Sequence, residues 1–348
     1  MAQKQKKKPG EALKRFLRLT MAAAFVAVAS AGPLAADSPA FPATGSIERL
    51  TPAMDRLVAK DADIERLTED AFRWSEGPVW VPGGDYLLFS DVPENRMWKW
   101  SEESGLEEFL HPSALSDGRP ANPSGPGSNG LALTASGTLL AADHGSRWLI
   151  SVDLASRQKA LVLGAFEGKR FNSPNDLVIS RTRWPGAIFF TDPPYGLKGQ
   201  DDSPLRELPS NGVYRLDPSG TVVLLADSLR RPNGIALSPD ERTLYVANSE
   251  KELAVWIAYD LDARGEVSGP GRLFASAQKW ADAGDRGLPD GMAVDQDGKL
   301  WATGPGGVFI IDPQGAILGR IRTGSAVANC TFCGTNRSVL YMTSATFL

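Results

Sequence analysis

One pattern of apolar and polar residues recurs along the chain after residue 70. A polar residue opens an apolar segment, a turn follows, and a β-rich segment then ends in a small polar residue. Turn sequences such as Pro-Gly-Gly-Asp at 82–85 and Asp-Gln-Asp-Gly at 295–298 predict that each unit is a β-hairpin. Six copies of the second segment share this form, at residues 86–91, 138–143, 187–192, 243–248, 299–304 and 339–344.

Two further strand-like segments follow five of these hairpins, for example 211–216 and 221–225. Six units of four strands predict an all-β fold, a six-bladed β-propeller with four-stranded blades. The sixth unit stops shortly after Ser344, so we expect the N-terminal segment 63–68 to form the strand that completes it and closes the ring. Such closure removes an exposed sheet edge. Long amphipathic helix patterns do not separate the strands, which argues against a βαβ fold.

The polar residues that open the first strands occupy equivalent positions in the repeat. Because the innermost strand of every propeller blade faces the central channel, we expect these side chains to converge on its axis. These axial residues are Glu76, Asn129, Asn175, Asn233, Asp290 and Asn329.

Two carboxylates and several amide oxygens at one point repel each other and lack partners unless a cation lies among them. Hard oxygen ligands favour Ca²⁺, with Mg²⁺, Mn²⁺ or Zn²⁺ as substitutes. The alternative is that the axial residues only cap the strand starts through Asx turns. Glu76 forms no such turn and yet holds the same repeat position, which favours the cation site.

The longest connections, 110–128, 193–210 and 277–289, are predicted to lie on one face of the propeller. We call this face the mouth of the channel, and loops on a rigid scaffold are where binding residues usually lie. His144 ends a second strand near the mouth. It is a candidate substrate contact or proton carrier, and the alternative is a structural histidine.

Composition narrows the chemistry. The chain has 348 residues, 42% of them hydrophobic, which is typical of a folded protein, and we predict one catalytic domain over residues 37–348. With 37 basic and 41 acidic residues, the net charge of −4 argues against a nucleic-acid partner. Two histidines and two cysteines exclude His₃ and Cys₄ zinc centres. Cys330 and Cys333 are expected to be buried and unpaired, because residues three apart in a strand point to opposite faces.

The N-terminus has the features of an export signal. A basic stretch from Lys4 to Arg18 precedes an apolar run from Leu19 to Ala29 and then small residues, so we predict a signal peptide and spacer over 1–36 with cleavage after Ala31 or Ala36. The apolar run is shorter than a membrane-spanning helix requires, so no stable membrane anchor is expected. The mature protein is predicted to be periplasmic or secreted. The export route and the oligomeric state stay open.

Six motifs together resemble the gluconolactonase branch of the senescence-marker-protein (regucalcin) family, over roughly residues 63–348. Members are six-bladed propellers with a divalent cation, often calcium, in the central channel. The motifs are Ser-Glu-Gly-Pro-Val-Trp at 75–80, Asp-His-Gly at 143–145, Gly-Lys-Arg-Phe-Asn-Ser-Pro-Asn-Asp at 168–176, Phe-Thr-Asp-Pro-Pro-Tyr-Gly at 190–196, Arg-Pro-Asn-Gly at 231–234 and Pro-Asp-Gly-Met at 289–292.

The resemblance implies a role for some of these positions. The metal ligands that it implies are Glu76, Asn175, Asn233 and Asp290. The positions that match the substrate pocket of relatives are Asn129, His144 and Arg170. The polar insert 201–209 departs from the family pattern and is expected to reshape that pocket.

The function implied by the resemblance is metal-dependent hydrolysis of a small-molecule sugar lactone such as gluconolactone. The cation would polarise the ring carbonyl, Asp290 would act as base or nucleophile, and His144 would protonate the leaving alkoxide. Two alternatives use the same ligands. One is a phosphotriesterase or fluorophosphatase-like hydrolase, and the other is a calcium-binding propeller without catalytic activity.

Overall fold

The computed structural model describes residues 44–116, 118 and 125–348, and antiparallel β-strands are the main regular secondary structure in this part of the chain. The predicted export signal over residues 1–36 lies outside the described residues. Within the described part there are one short α-helix, α1 (Gln278–Asp282), and two 3₁₀ helices at Pro52–Arg56 and Gln200–Asp202. No helix among these residues has the length and apolar character needed to cross a membrane.

Consecutive strands pair to form separate sheets. An N-terminal strand, β1 (Ser46–Arg49), precedes them. The first sheet consists of β2 (Ser75–Val81), β3 (Tyr86–Asp91), β4 (Arg96–Ser101) and β5 (Gly105–Leu110). The second sheet consists of β6 (Ser128–Leu133), β7 (Leu139–Asp143), β8 (Trp148–Val152) and β9 (Lys159–Leu163). A small hairpin follows, with β10 (Ala165–Phe166) and β11 (Lys169–Arg170).

The remaining sheets repeat this arrangement. The third consists of β12 (Leu177–Ile179), β13 (Ile188–Asp192), β14 (Gly212–Leu216) and β15 (Val222–Ala226). The fourth consists of β16 (Pro232–Leu237), β17 (Thr243–Glu250), β18 (Leu253–Asp260) and β19 (Arg272–Ser276). The fifth consists of β20 (Met292–Val294), β21 (Leu300–Gly304), β22 (Gly307–Ile311) and β23 (Ile317–Arg322), joined by β1. The last repeat forms a hairpin of β24 (Asn329–Cys333) and β25 (Val339–Thr343).

The fold is therefore an all-β propeller, as expected, but the predicted number of blades is wrong. The described residues form five sheets of four or five strands, and the sixth repeat forms a sheet of only two. The physical reason lies after β25, where Ser344 and Phe347 exchange backbone hydrogen bonds in a tight turn. The chain thus folds back at this point, and no further strand pairs with β25 among the described residues.

The predicted closure by an N-terminal strand over 63–68 is also wrong. The N-terminal strand that does form is β1, and it pairs with β23 of the fifth sheet, with Ser46 opposite Arg322. Segment 63–68 instead runs beside the end of the chain and forms no strand, with a single bridge residue at Glu65. Leu67 donates a backbone hydrogen bond to Leu348 (2.8 Å), and Ala71 donates one to Thr346 (2.9 Å). The two ends of the domain are therefore joined by loop hydrogen bonds rather than by a strand.

Each sheet packs against its neighbours through apolar side chains on both faces, which explains why the strands are rich in hydrophobic residues. Trp256 of the fourth sheet packs against Phe309 of the fifth, with ring centroids 5.3 Å apart. Tyr341 of the last hairpin packs against Trp100 of the first sheet at the same distance. Burying one such side chain contributes about 1.5–3 kcal/mol. Both cysteines are buried and unpaired, as predicted.

Candidate active site

The axial residues lie where the innermost strands approach one another most closely. Most of them are followed by glycine, and the structure shows why. Gly77 has a left-handed φ of 51°, and a Cβ atom there would overlap the carbonyl oxygen of Asn129. A Cβ atom on Gly234 would overlap the carbonyl of Asp290 in the same way. The glycines therefore allow adjacent first strands to contact each other through their backbones, which brings the preceding polar side chains together.

Hydrogen bonds to backbone carbonyls connect neighbouring sheets and hold this arrangement. Ser90 Oγ donates to the carbonyl of Asn129 (2.8 Å), and Thr191 Oγ1 donates to that of Asn233 (2.7 Å). The backbone N–H of Gly130 donates to the carbonyl of Asn175 (2.8 Å). The carbonyls of Asn129, Asn175 and Asn233 thus bond to the neighbouring sheet, and the side chains of these residues remain available to the channel.

Three carboxyl groups form an acidic cluster, which we define as Glu76, Asp176 and Asp290. Burial, followed by the charge of Asp176, raises the pKa of Glu76 to about 7. Burial raises the pKa of Asp176 to about 6. Burial, and then the charges of Glu76 and Asp176, raise the pKa of Asp290 well above its usual range. The two predicted ligands Glu76 and Asp290 are therefore close enough to affect each other, as the axial arrangement requires.

Asp176 was not among the predicted site residues. It follows Asn175 at the repeat position where Glu76, Asn129, Asn233 and Asp290 are followed by glycine, and this departure was visible in the sequence. Its Oδ2 atom accepts a hydrogen bond from Nδ2 of Asn329 (3.4 Å), and the same amide also hydrogen-bonds to Glu76. Asn329 therefore lies between two carboxyl groups and provides hydrogen bonds to both.

Glu76 receives two further hydrogen bonds. The indole Nε1 of Trp74 donates to its Oε1 atom (3.2 Å), and the backbone N–H of Gly77 donates to its Oε2 atom (3.1 Å). Both bonds lower the pKa of Glu76, but burial outweighs them. The carboxylate is thus oriented by these two donors.

Asp290 is flanked by Asn233, Ser249 and Tyr195. Nδ2 of Asn233 donates to Ser249 Oγ (2.9 Å), and Ser249 Oγ donates in turn to the carbonyl of Pro289. A hydrogen bond from Asn233 also lowers the pKa of Asp290. Burial and then the charge of Asp290 raise the pKa of the Tyr195 phenol, so it is protonated at neutral pH. Tyr195 lies in the 190–196 motif, but the repeat pattern gave no signal for it because it lies outside the axial positions.

His144 and Asn129 lie together, as the resemblance implies. Asn129 Nδ2 is 3.4 Å from His144 Nε2, and both side chains are buried. Burial lowers the pKa of His144 to about 4, so the imidazole is neutral at pH 7. Gly125 and Gly196 lie against the ring, where a Cβ atom would come within 3.3 and 3.1 Å of it. The histidine is thus enclosed by close backbone contacts.

Arg170 lies in β11, farther out than the axial residues. One of its guanidinium nitrogens donates to the carbonyl of Ser146 (3.0 Å), and its backbone N–H donates to Glu207 (2.8 Å). The polar insert is fixed at the same face, because Asp201 forms ion pairs with Arg206 (3.0 Å) and Arg231 (2.5 Å). The insert is therefore connected to the segment that carries Asn233.

A cavity of about 720 Å³ follows the channel on the far side of the acidic cluster. Asp176 and Asn329 contribute to its wall, whereas Glu76, Asn233, Asp290 and His144 do not. Its walls are the first strands of the sheets, and its far end contains turn residues such as Arg181 and Arg337. Asp176 and Asn329 therefore separate this cavity from the mouth.

The oxygen atoms of the predicted metal ligands are of the type that a hard cation binds. The predicted ligands supply two carboxylates and two amides, and both carboxylates have raised pKa values. Among the described residues there is no group of three or more His, Cys, Asp or Glu side chains that could hold a metal ion. The predicted set has only two such residues, so amide oxygens would have to complete it.

Comparison with known proteins identifies the class. Residues 74–346 match the SMP-30/Gluconolactonase/LRE-like region. The chain is 44% identical to a gluconolactonase of Zymomonas mobilis over 292 residues, which cover 83% of this chain and 81% of the relative. The structure of XC5397 from Xanthomonas campestris, a gluconolactonase, is 34% identical, has a TM-score of 0.73 and covers 89% of this chain and 96% of its own. The structure of a regucalcin from Agrobacterium tumefaciens, described as a calcium-binding protein, shares the fold, with a TM-score of 0.58 and 20% identity over 78% of this chain and 82% of its own.

The chain, an all-β propeller with an acidic cluster on its axis, thus matches a family of lactone-hydrolysing enzymes. The chain belongs to the SMP-30/gluconolactonase family. The predicted family is confirmed, and with it the expectation that the protein is an enzyme.

Proposed function

We propose that the protein hydrolyses a sugar lactone such as gluconolactone at the mouth of its channel. The observation that carries this proposal is the 44% identity to a gluconolactonase over most of both chains. The acidic cluster supports it, since buried carboxyl groups with raised pKa values are typical of catalytic sites.

We propose further that a divalent cation, Ca²⁺ in the first instance, is held by Glu76, Asn175, Asn233 and Asp290. Two negative charges and two neutral amide oxygens suit such an ion, with water completing its coordination. The bound cation would supply Lewis-acid polarisation of the lactone carbonyl. The family resemblance to a calcium-binding regucalcin supports the choice of ion.

Asp290 is the proposed general base or nucleophile. Unlike Glu76, it keeps partial contact with solvent, so a water molecule or substrate can reach it. As a base, its carboxylate takes a proton from water while the water oxygen bonds to the carbonyl carbon. The ring C–O bond then breaks, the alkoxide oxygen takes up a proton, and the product is the open-chain sugar acid. Asn233, which hydrogen-bonds to Asp290, orients it.

His144 and Asn129 are the proposed substrate contacts. Because the lowered pKa keeps His144 neutral at pH 7, we infer that it acts as a hydrogen-bonding group rather than as an imidazolium acid. Arg170 is proposed to act at the edge of the same pocket. Its bond to the carbonyl of Ser146 supports this, since Ser146 lies two residues after His144.

The test is a rate comparison on purified protein stripped with chelator and then supplied with Ca²⁺, Mg²⁺, Mn²⁺ or Zn²⁺. We expect hydrolysis of glucono-1,5-lactone above the spontaneous rate with at least one ion, and much slower hydrolysis of a paraoxon-type phosphotriester. The Asp290→Asn variant serves as the control for spontaneous ring opening. Faster turnover of the triester would favour a phosphotriesterase. Ion binding without turnover of either substrate would favour a binding propeller.

We also propose that residues 1–36 direct export to the periplasm or the medium. The basic and apolar segments of the N-terminus support this. N-terminal sequencing of the protein from fractionated cells tests it, with Gly32 or Asp37 expected as the first residue. Full-length protein retained in the cytoplasm would contradict the proposal.

A further inference from the structure

One aromatic side chain next to the acidic cluster is exposed to solvent. Trp74 is 37% exposed, although its indole Nε1 donates to Glu76 Oε1 at 3.2 Å. The described part of the chain has seven exposed large hydrophobic residues, and the other six are leucines and a valine. Trp74 is thus the exposed aromatic residue in this group, and it hydrogen-bonds to an axial residue.

The backbone on either side of this ring is held in place. The backbone N–H of Trp74 donates to Asp91 Oδ1 (3.1 Å), and the N–H of Arg73 donates to Oδ2 of the same carboxylate (3.2 Å). The N–H of Val92 donates to the carbonyl of Trp74 (3.3 Å). Asp91 is itself buried at the end of β3. These hydrogen bonds therefore fix the backbone of Trp74 to the first sheet in a position where its ring is exposed.

A fixed, exposed indole has a cost in water, because its apolar face is hydrated. That cost is offset when a ligand with an apolar face covers the ring. The face of a sugar ring formed by its axial C–H bonds is such a surface, since its partly positive hydrogens match the negative face of an aromatic π-system. The hydroxyl groups at the ring edge remain free to bond with polar residues.

We propose that Trp74 is a substrate-binding residue whose exposed ring packs against the C–H face of the sugar lactone, while its N–H orients Glu76. This proposal rests on the proposed lactonase function. It assigns two separable roles to one side chain, and it predicts a preference for lactones that carry a sugar-like ring over small aliphatic lactones.

Two substitutions separate the roles. Trp74→Phe keeps an aromatic face and removes the N–H, whereas Trp74→Leu removes both. We expect Trp74→Phe to keep the KM for gluconolactone within about twofold and to weaken cation binding. We expect Trp74→Leu to weaken cation binding to the same degree and also to raise KM by about threefold to tenfold. Trp184→Leu is the matched control, because Trp184 is a partly exposed tryptophan in the turn before β13, far from the mouth, and its KM should equal that of the unaltered protein.

A binding measurement supplies a second readout. Titration with gluconolactam, a ring analogue that resists hydrolysis, should change the tryptophan fluorescence of the unaltered protein. Calorimetry should show that Trp74→Phe still binds the lactam, while the fluorescence change is lost. An unchanged KM in Trp74→Leu, or equal KM values in the Phe and Leu variants, would overturn the stacking role. If the unaltered protein hydrolyses no sugar lactone, the proposed function itself fails, whatever the variants show.

Discussion

The two ends of the channel bury carboxylates in different ways. Glu76, at the mouth, and Glu241, in the turn after β16 at the far end, are similarly buried, with exposed fractions of 4% and 6%. Glu241 accepts hydrogen bonds of 2.7 Å from the hydroxyl of Ser180 and from the backbone N–H groups of Arg181 and Arg183. Glu76 accepts longer bonds from Trp74 and Gly77, together with one from Asn329, and faces other carboxyl groups.

The pKa values of Glu241 and Glu76 therefore shift in opposite directions. Burial alone raises the pKa of Glu241, but the hydrogen bonds from Arg181, Arg183 and Ser180 outweigh it and leave the pKa lowered. Burial and the charge of Asp176 raise the pKa of Glu76 to about 7. The difference follows from the short hydrogen bonds to Glu241 and from the fuller enclosure of Glu76 beside another carboxyl group. Glu241 is stabilised as a carboxylate by these donors, whereas Glu76 has longer hydrogen bonds and faces other carboxyl groups.

The largest expected effect is on catalysis. Asp290→Asn keeps the size of the side chain and removes its capacity to accept a proton, so kcat/KM for gluconolactone should fall by about 10²–10⁴-fold. The melting temperature should stay the same or rise, because one of three repelling carboxyl groups is removed. Initial rates and thermal unfolding measure the two effects. Unchanged turnover with the cation still bound would exclude Asp290 as base or nucleophile.

The opposite outcome is expected at the far end. Glu241→Gln places an amide N–H₂ group against three backbone and hydroxyl donors, and should lower the free energy of unfolding by about 2 kcal/mol. The rate per folded molecule should not change. Urea denaturation measures the loss, and Glu76→Gln in chelator-treated protein is the matched substitution, for which no loss is expected. Equal destabilisation by both changes would remove the distinction between the two ends.

The pH dependence of stability should have opposite signs at the two ends. For Glu76 the folded pKa of about 7 exceeds the ordinary value of 4.5, so its contribution is full below pH 4.5 and is lost as pH rises to about 7. Asp176, with a folded pKa of about 6, acts in the same direction. For Glu241, whose folded pKa is lowered, stability is present above pH 4.5 and is lost at more acidic pH.

Urea denaturation of chelator-treated protein between about pH 2.5 and 8 measures these slopes. Glu76→Gln should flatten the decrease between pH 4.5 and 7, by on the order of 3 kcal/mol in total. Glu241→Gln should leave that decrease intact and reduce the acid loss. A decrease that is identical in the unaltered protein and in Glu76→Gln would show that Glu76 titrates normally.

The smallest effect is expected at Asn329. Its amide lies between Glu76 and Asp176, and its hydrogen bonds lower the pKa of both. Asn329→Ala should therefore move the titration of the cluster to higher pH and cost about 1 kcal/mol of stability. NMR titration of the labelled carboxyl groups measures the shift. No movement of either group would mean that the 3.4 Å contact with Asp176 carries no weight.

The repeat pattern predicted the propeller class and the closeness of Glu76 and Asp290, because a property shared by all six repeats is visible in one sequence. Residues that break the repeat were not predicted. Asp176 stands where most other repeats have glycine, and Tyr195 lies in a loop whose path depends on contacts distant in sequence. The predicted number of blades was wrong for a similar reason. Whether a segment pairs with β25 or β23 depends on competition between sheet edges, which strand propensity does not record.

The most direct test is calorimetric titration of a divalent cation into chelator-treated protein at pH 7, in two buffers with different ionisation enthalpies. We expect one cation per chain and release of protons on binding, because a pKa of about 7 leaves Glu76 partly protonated before the cation arrives. Binding and proton release should both weaken in Glu76→Gln. Full lactone hydrolysis in the presence of chelator, with no binding of Ca²⁺, Mg²⁺, Mn²⁺ or Zn²⁺, would contradict it.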